Sequence, residues 1–216
     1  MKNVLILGAN NPQTLRLITD INQSSRDKIN ILGWIDNDKK KIGKYFFGFK
    51  VLGTPEILIT IDKSNLFLIN NITRDGIARK DTTISLLKYN IPFLSLIHPK
   101  ININNVTIGT GVIIHEGVYI EEDCEINDYC AISVKTSIAH ESKIGKFSFL
   151  ATNVTISGIV NIGEAVTIWT SATIIPRLTI GDNAKIGAGS VVLNNIDNDI
   201  TVYGNPARKL IINNIK

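Results

Sequence analysis

Of 216 residues only two are cysteine, one is methionine, six are proline and three are histidine. Two cysteines, Cys124 and Cys130, cannot staple a disulfide framework, and both are read as packing residues. Charge is sparse, at 19% of residues with a net +4. The longest basic run, Lys39-Lys40-Lys41, stands alone, and no Lys/Arg stripe interleaves with the 6% of aromatics. That pattern argues for a solvated turn and against a nucleic-acid groove. No apolar stretch reaches the roughly 20 residues of a membrane span. The start Met1-Lys2-Asn3-Val4-Leu5-Ile6 reads as a strand and not as a signal peptide. A cytoplasmic protein without membrane insertion is expected.

What is present in excess is a six-residue rhythm. Ile108, Ile114, Ile120, Ile126, Ile132, Ile138, Ile144, Leu150, Ile156, Ile162, Ile168, Ile174, Ile180, Ile186 and Val192 form an unbroken aliphatic series. Neither an amphipathic helix nor a simple strand alternation generates that period. The residue two places earlier is small or β-branched throughout, Leu178 excepted. One aliphatic plug per side and one small inward residue per corner describe a triangular β-solenoid, whose units bury their apolar side chains only by stacking. Three sides per turn make five coils, a prism roughly 24 Å tall at about 4.8 Å per coil. Glycine follows the plug at Gly109, Gly145, Gly163, Gly181 and Gly187, where a corner is expected to need a relaxed backbone.

The first hundred residues read differently. Val4–Leu7, Ile31–Ile35, Leu66–Ile69 and Phe93–Ile97 are strand candidates, alternating with helices at Pro12–Ile21, after the Gly53-Thr54-Pro55-Glu56 turn that Val51-Leu52 introduces, and at Ile77–Tyr89. This predicts a small open, parallel, Rossmann-like α/β domain over residues 1–99, with the all-β solenoid over 100–216. Ligands of such sheets bind beyond the carboxyl ends of the strands. Asn10, Asn11, Asp36, Asn37 and Asn70 stand there and are the substrate-binding candidates. Gly8-Ala9-Asn10-Asn11 keeps one glycine where a dinucleotide fingerprint has three; it offers either a phosphate-binding turn or an ordinary strand-to-helix turn.

Solenoid geometry ranks the three histidines. His140 lies two residues past its plug, on the outside of the coil, and eighteen residues before Gly158. An exposed imidazole is thus expected beside a main-chain N–H without side-chain cover, at about one strand spacing. A base next to a bare donor suits acyl transfer, and equally an idle surface histidine. Glu141 and Glu122 are placed to orient the ring. His98 precedes the hexads, and His115 and His140 fall out of register, so no three-histidine metal centre is expected.

The segment from Ala139-His140-Glu141 through Ile144-Gly145-Lys146-Phe147-Ser148, with Ser157-Gly158 and the closing Gly204-Asn205-Pro206-Ala207-Arg208, resembles the sialic acid O-acetyltransferase-like family of bacterial sugar acetyltransferases. That family includes N-acetyltransferases of nucleotide-linked 4-amino sugars. Gly33-Trp34-Ile35-Asp36-Asn37-Asp38, Val51-Leu52-Gly53 and Ile97-His98-Pro99 extend the resemblance over nearly the whole chain.

The resemblance implies a left-handed β-helix and a homotrimer with active sites between subunits. It implies His140 as general base, Glu141 raising its basicity, and the Gly158 N–H on the thioester carbonyl of acetyl-CoA. Phe149, Thr170, Ala188, Pro206 and Ala207 would line the cofactor groove, and no metal is implied. The expected activity is acetyl transfer to a nucleotide-linked amino sugar in glycan, O-antigen or capsule synthesis. O-acetylation of a sialic acid is the alternative acceptor chemistry, and a non-catalytic solenoid used for assembly is the alternative class. Two departures stand out. The family's Gly-x-Gly-Gly-His-Gly loop reads Gly8-Ala9-Asn10-Asn11-Pro12-Gln13 here, and Phe149 stands where some members carry a second histidine.

Overall fold

A computed structural model describes residues 1–9 and 11–210. The apolar run at the start forms strand β1 (Lys2–Leu7), followed by helix α1 (Gln13–Ser24) and strand β2 (Ile29–Ile35). A short hairpin, β3 (Tyr45–Phe46) with β4 (Phe49–Gly53), precedes β5 (Leu66–Asn70) and helix α2 (Gly76–Leu87). The sheet order is β3-β4-β2-β1-β5, parallel except for the hairpin. Sequence patterning misses that hairpin because Val51 is the only buried side chain in β4, Gly53 being the other buried residue.

Phe93–Ile97 is not one strand of this sheet. Phe93 makes a single bridge to Leu68, whereas β6 (Leu96–Ile97) pairs with Ile113–Ile114 of the first coil. The solenoid's stack therefore starts before Pro99.

Fifteen two-residue strands follow, each ending on a plug, from Thr107–Ile108 to Val191–Val192. Strands eighteen residues apart pair in parallel, as Ile126 with Ile144 and Ile144 with Ile162. They make three flat faces of five strands each. One face is extended by β6 at one end and by Thr201–Tyr203 and Arg208–Lys209 at the other. The plugs and the small residues two before them form one buried column. The small polar ones also donate to carbonyls of the next coil. Ser142 Oγ–H reaches Ser157 O at 3.0 Å, Ser148 Oγ–H reaches Gly163 O at 2.9 Å, and Cys130 Sγ–H reaches Gly145 O at 3.1 Å. Both cysteines are free and buried. Burial pushes the Cys130 thiol up to about 12, so it stays protonated and inert.

The corners correct one expectation. The glycines after the plugs do not adopt a left-handed backbone; the residue two further on does, after every plug from Ile108 to Ile186, and of those fourteen only Gly111, Gly117 and Gly189 are glycine. Glycine follows the plug because the neighbouring coil is too close: a Cβ on Gly145 would run into the carbonyl of Gly163.

The two parts share an apolar seam in which Leu17, Ile18, Trp34 and Val51 pack with Ile113, Ala131, Phe149 and Ala151 of the solenoid. Arg79 of α2 crosses beside it, wholly buried. Its guanidinium donates to Asn70 O at 2.7 Å and Ile72 O at 3.2 Å on one side, and to Tyr129 O and Cys130 O on the other. No carboxylate joins it in these bonds, and burial lowers its pKa to about 10, leaving it charged at neutral pH.

These contacts set the expected cost of two substitutions. Gly145→Ala should cost more than Gly189→Ala, whose added Cβ meets nothing within 4 Å and costs about 1–2 kcal/mol of left-handed backbone strain. Equal melting temperatures for the two variants would refute close approach as the reason for glycine after the plug. Arg79→Met strands several buried carbonyls at about 1–3 kcal/mol each and should lower the melting temperature by at least about 5 °C.

Candidate active site

His140 stands at the corner between the face carrying Ser137–Ile138 and the face carrying Lys143–Ile144. Its main chain is fixed at both ends. Its carbonyl accepts the Ile159 N–H at 2.9 Å, and its N–H donates to Glu121 Oε2 at 2.8 Å. The ring extends over Gly158, where a Cβ would lie 2.6 Å from Nε2. His140 Nδ1 is 3.0 Å from Glu141 Oε1, and both side chains are about half exposed. With the carboxylate accepting from Nδ1–H, Nε2 is the basic nitrogen that faces away from Glu141. The Gly158 carbonyl accepts from Arg177 N–H. Among the described residues no group accepts the Gly158 N–H.

Of the expected orienting groups, the Glu141 carboxylate reaches the ring, while Glu122 contributes its main-chain carbonyl to Glu141 N–H at 3.2 Å. Glu121 is the residue that sequence reasoning missed. Eighteen residues before Ala139, it sits one coil away from the peptide that carries the His140 N–H, a relation readable from the repeat. A cleft of about 480 Å³ opens beside His140, lined by Lys100, Asn102, Asn104, Tyr119, Glu121 and Glu122.

The other expected cofactor residues occupy a different edge. Thr170 and Ala188 are eighteen apart and exposed, on the corner that follows the face of Thr167–Ile168. Pro206 and Ala207 join them, because Ala207 N–H donates to Val191 O at 2.8 Å and Gly204 N–H to Ser190 Oγ at 3.1 Å. One chain therefore keeps His140 and Gly158 on one edge of the prism and Thr170, Ala188 and the closing loop on another.

Phe149 must be withdrawn from the cofactor contacts. Its ring is 5% exposed, lies edge-on to Trp169 with centroids 6.0 Å apart, and belongs to the seam beneath the N-terminal part. A ring already buried within one chain gains no ligand contact from a second.

At the carboxyl ends of β1 and β2 a cavity of about 190 Å³ is bordered by Gly8, Asp36, Asn37, Lys41, Thr82 and Ser85. Gly8 has φ +88°, and a Cβ there would sit 3.0 Å from Ile72, so the one retained glycine is required. Asp36 is committed internally and not left open to a ribose. Its Oδ2 accepts from Ala9 N–H at 3.0 Å and Lys41 Nζ at 2.7 Å, and its Oδ1 accepts from Asp38 N–H at 2.9 Å. Burial pushes this carboxyl up, but Lys41 and the two main-chain donors outweigh it and hold it below the usual carboxylate range.

Asn70 is likewise corrected to a structural role. It is buried, donates to Arg79 O and Thr83 Oγ1, and accepts from Ile72 N–H. Asn11 caps α1 through Gln13 N–H at 3.0 Å and gives its carbonyl to Asn71 Nδ2. Asn37 is exposed at the cavity rim. Asn10 lies outside the described residues.

Comparison with known proteins agrees with this geometry at the level of fold. A family model described as "Bacterial transferase hexapeptide (six repeats)" matches residues 159–194. No curated protein matches the sequence. Among solved structures, perosamine N-acetyltransferase from Caulobacter crescentus, solved with CoA and GDP-perosamine, superposes with a TM-score of 0.84 at 24% identity, over 97% of this chain and 98% of that one. The acetyltransferase domain of PglB from Neisseria gonorrhoeae gives 0.85 at 21% identity, over 97% and 100%. WeeI from Acinetobacter baumannii gives 0.83 at 22%, over 97% and 100%. The chain thus has the fold expected of it, a small α/β domain followed by a left-handed parallel β-helix with hexapeptide repeats. No helix among the described residues is long and apolar enough to cross a membrane.

Because the Asp36 carboxylate lies below its ordinary value in the folded chain, it contributes stability above that value, near 3.8. The contribution is lost as pH falls through the lower folded value. Asp36→Asn should therefore lower stability at neutral pH and flatten the acid limb of a melting-temperature profile below pH 4. An unchanged acid limb would show that the Ala9–Asp36–Lys41 brace carries no such linkage.

Proposed function

We propose that this chain is an acetyl-CoA-dependent acetyltransferase that acylates the amine of a nucleotide-linked 4-amino sugar by direct transfer, with His140 as general base. The observation that carries this reading is the His140 ring held over Gly158, with Glu141 on Nδ1 and the Gly158 N–H without an acceptor. In this reading acetyl-CoA supplies an activated acyl carbon. Nε2 of His140 takes a proton from the attacking nitrogen as the N–C bond forms. The Gly158 N–H stabilises the developing oxyanion, a contribution of about 3–4 kcal/mol for such donors. The C–S bond then breaks, and the proton held on His140 leaves with the thiol. Glu141 holds the tautomer and stabilises the imidazolium. Neither buried cysteine is available as an acyl-accepting nucleophile.

The site is completed between subunits. The flat face carrying Ser137–Ile138 and Thr155–Ile156 runs between the His140 edge and the Thr170–Ala188 edge, so packing solenoids side by side is what brings the two edges together. A closed cyclic trimer does this with three equivalent sites. The pantetheine arm lies in that groove, past Thr170 and Ala188 toward Pro206 and Ala207. The nucleotide occupies the cavity at Gly8 and Asn37, with Lys41 and Ser85 on its walls and Asn11 in the adjoining loop. A glycan or O-antigen biosynthetic role in the cytoplasm, where acetyl-CoA is made, fits this substrate pair. The relative solved with CoA and GDP-perosamine supports both the acceptor class and the co-substrate.

The test is thiol release from acetyl-CoA against a panel of nucleotide-linked 4-amino sugars, with free sialic acid included. Turnover on an amino sugar is expected; turnover on sialic acid alone would overturn the acceptor. His140→Ala should fold and assemble like the wild type while kcat falls about 10²–10⁴-fold, and an active variant would remove the base assignment. Gly158→Ala places a methyl where the ring lies. It should lower kcat at least tenfold with little change in the KM for the sugar.

A further inference from the structure

A second cluster of titratable groups lies where α1 meets the first coil, at the start of the prism edge that ends in Thr170 and Ala188, an edge other than that of His140 in the same chain. A cavity of about 150 Å³ there is bordered by Gln13, Asp20, His98, His115 and Glu116. Two imidazoles are buried in its wall, His98 at 4% exposure and His115 at 7%. Their four ring nitrogens share one long hydrogen bond: His98 Nδ1 accepts from Lys100 N–H at 3.3 Å. His98 Nε2 is 3.6 Å from Asp20 Oδ2, beyond hydrogen-bond length. The His115 ring makes no hydrogen bond with any described group. No buried side-chain nitrogen or oxygen among the described residues lacks a partner, so the unbonded ring nitrogens keep an accessible surface, where water or an ion can reach them.

One ligand atom from each of Asp20, His98 and Glu116 lies within 4.8 Å of the other two. We propose that Asp20, His98 and Glu116 bind one divalent transition-metal cation of the zinc type, tying α1 to the first solenoid coil. Two carboxylates with an imidazole suit zinc better than calcium or magnesium, which favour all-oxygen sets. Tetrahedral zinc at about 2.0–2.2 Å from its ligands holds them about 3.4 Å apart, so the three side chains close by about 1 Å around it. Asp20 and Glu116 are partly exposed and free to rotate.

Two existing contacts yield. Ligation through Nε2 puts the ring proton on Nδ1, and the ring turns away from the Lys100 N–H. Arg16, 3.4 Å from Glu116 Oε2 and 77% exposed, swings into solvent, where such a pair contributes little. Water fills the fourth position, and His115 accepts from it.

Calorimetric titration of the chelator-dialysed full chain with zinc alone should give one equivalent per chain. The melting temperature should rise by about 5–10 °C at a hundredfold excess over Kd. Asp20→Asn with Glu116→Gln should abolish both effects. Glu116→Gln alone, at an accessible position, should weaken binding at least tenfold, so the test survives if the double variant fails to fold. Cobalt in place of zinc should show visible ligand-field bands that change in His98→Gln. His140→Ala should bind zinc as the wild type does. Absence of saturable binding, binding unaffected by Glu116→Gln, or binding lost in His140→Ala, which would place the cation at the exposed His140–Glu141 pair, each overturns the proposal.

Discussion

From Tyr129 to Gly189, every corner's third residue past the plug takes a left-handed backbone, and its N–H donates to the carbonyl nineteen residues earlier. Ile159 on His140, Phe147 on Asp128 and Ala165 on Lys146 repeat this bond from coil to coil. Eleven of the fourteen left-handed corners use a side chain that disfavours that backbone, at a cost of roughly 1–2 kcal/mol each. The cost is tolerated because every corner is locked by its neighbours and by the aliphatic column behind it, so no corner can relax alone. The same bond fixes His140. A histidine two past its plug has its carbonyl held by the next coil, and the Glu121 carboxylate takes its N–H. Only the ring remains free to move. The precision of the base is a by-product of how the solenoid stacks.

The buried Arg79 does for the two parts of the chain what the corners do within the solenoid. A guanidinium has donors enough for several carbonyls at once, and Arg79 spends them on both sides of the seam. Removing it leaves those carbonyls without water or partner. Asn70, read from sequence as a ligand contact, belongs to this clamp: its side chain holds Arg79 O and Thr83, and its carbonyl accepts from the guanidinium. The carboxyl end of β5 therefore serves the joint between the parts. The cavity at the sheet's end is bordered instead by Gly8 and the residues after β2.

The solenoid was legible because its period is set by geometry that repeats: an aliphatic residue every six positions matches neither the 3.6-residue turn of a helix nor the two-residue pleat of a strand. The His140–Gly158 pairing was legible for the same reason, since eighteen residues is one turn. Where reading failed, the information lay in close contacts that the aliphatic period does not report. Phe149 looks like a groove residue along the repeat, yet the seam with α1 and Trp169 buries it. Asp36 looks like a ribose acceptor at the end of a strand, yet Lys41 and the Ala9 and Asp38 N–H groups already occupy its oxygens. Glycine after the plug looks like a hinge for the backbone, whereas it is there so that the next coil can approach. Each correction turns on a neighbour distant in sequence, and one hundred residues separate even the ion pair Arg16–Glu116.

The division of functional groups between two edges bears on assembly. A single chain presents the His140 ring and, among the described residues, an unpaired Gly158 N–H on one corner, and an exposed column of small residues ending at a proline-containing loop on another. A flat sheet face of five two-residue strands lies between them. A three-sided prism cannot bring two of its own corners together, because the plug column holds them apart. If the corners act on one substrate, the second must come from a neighbour, and the intervening face is the surface across which that neighbour docks. On this face Tyr119 is 62% exposed and Ile159, at its corner, is 40% exposed. Both are apolar groups that packing between copies would cover. Under the proposed function, loss of assembly and loss of acyl transfer would then be a single event, and a chain that folds as a monomer would be inert without any damage to His140.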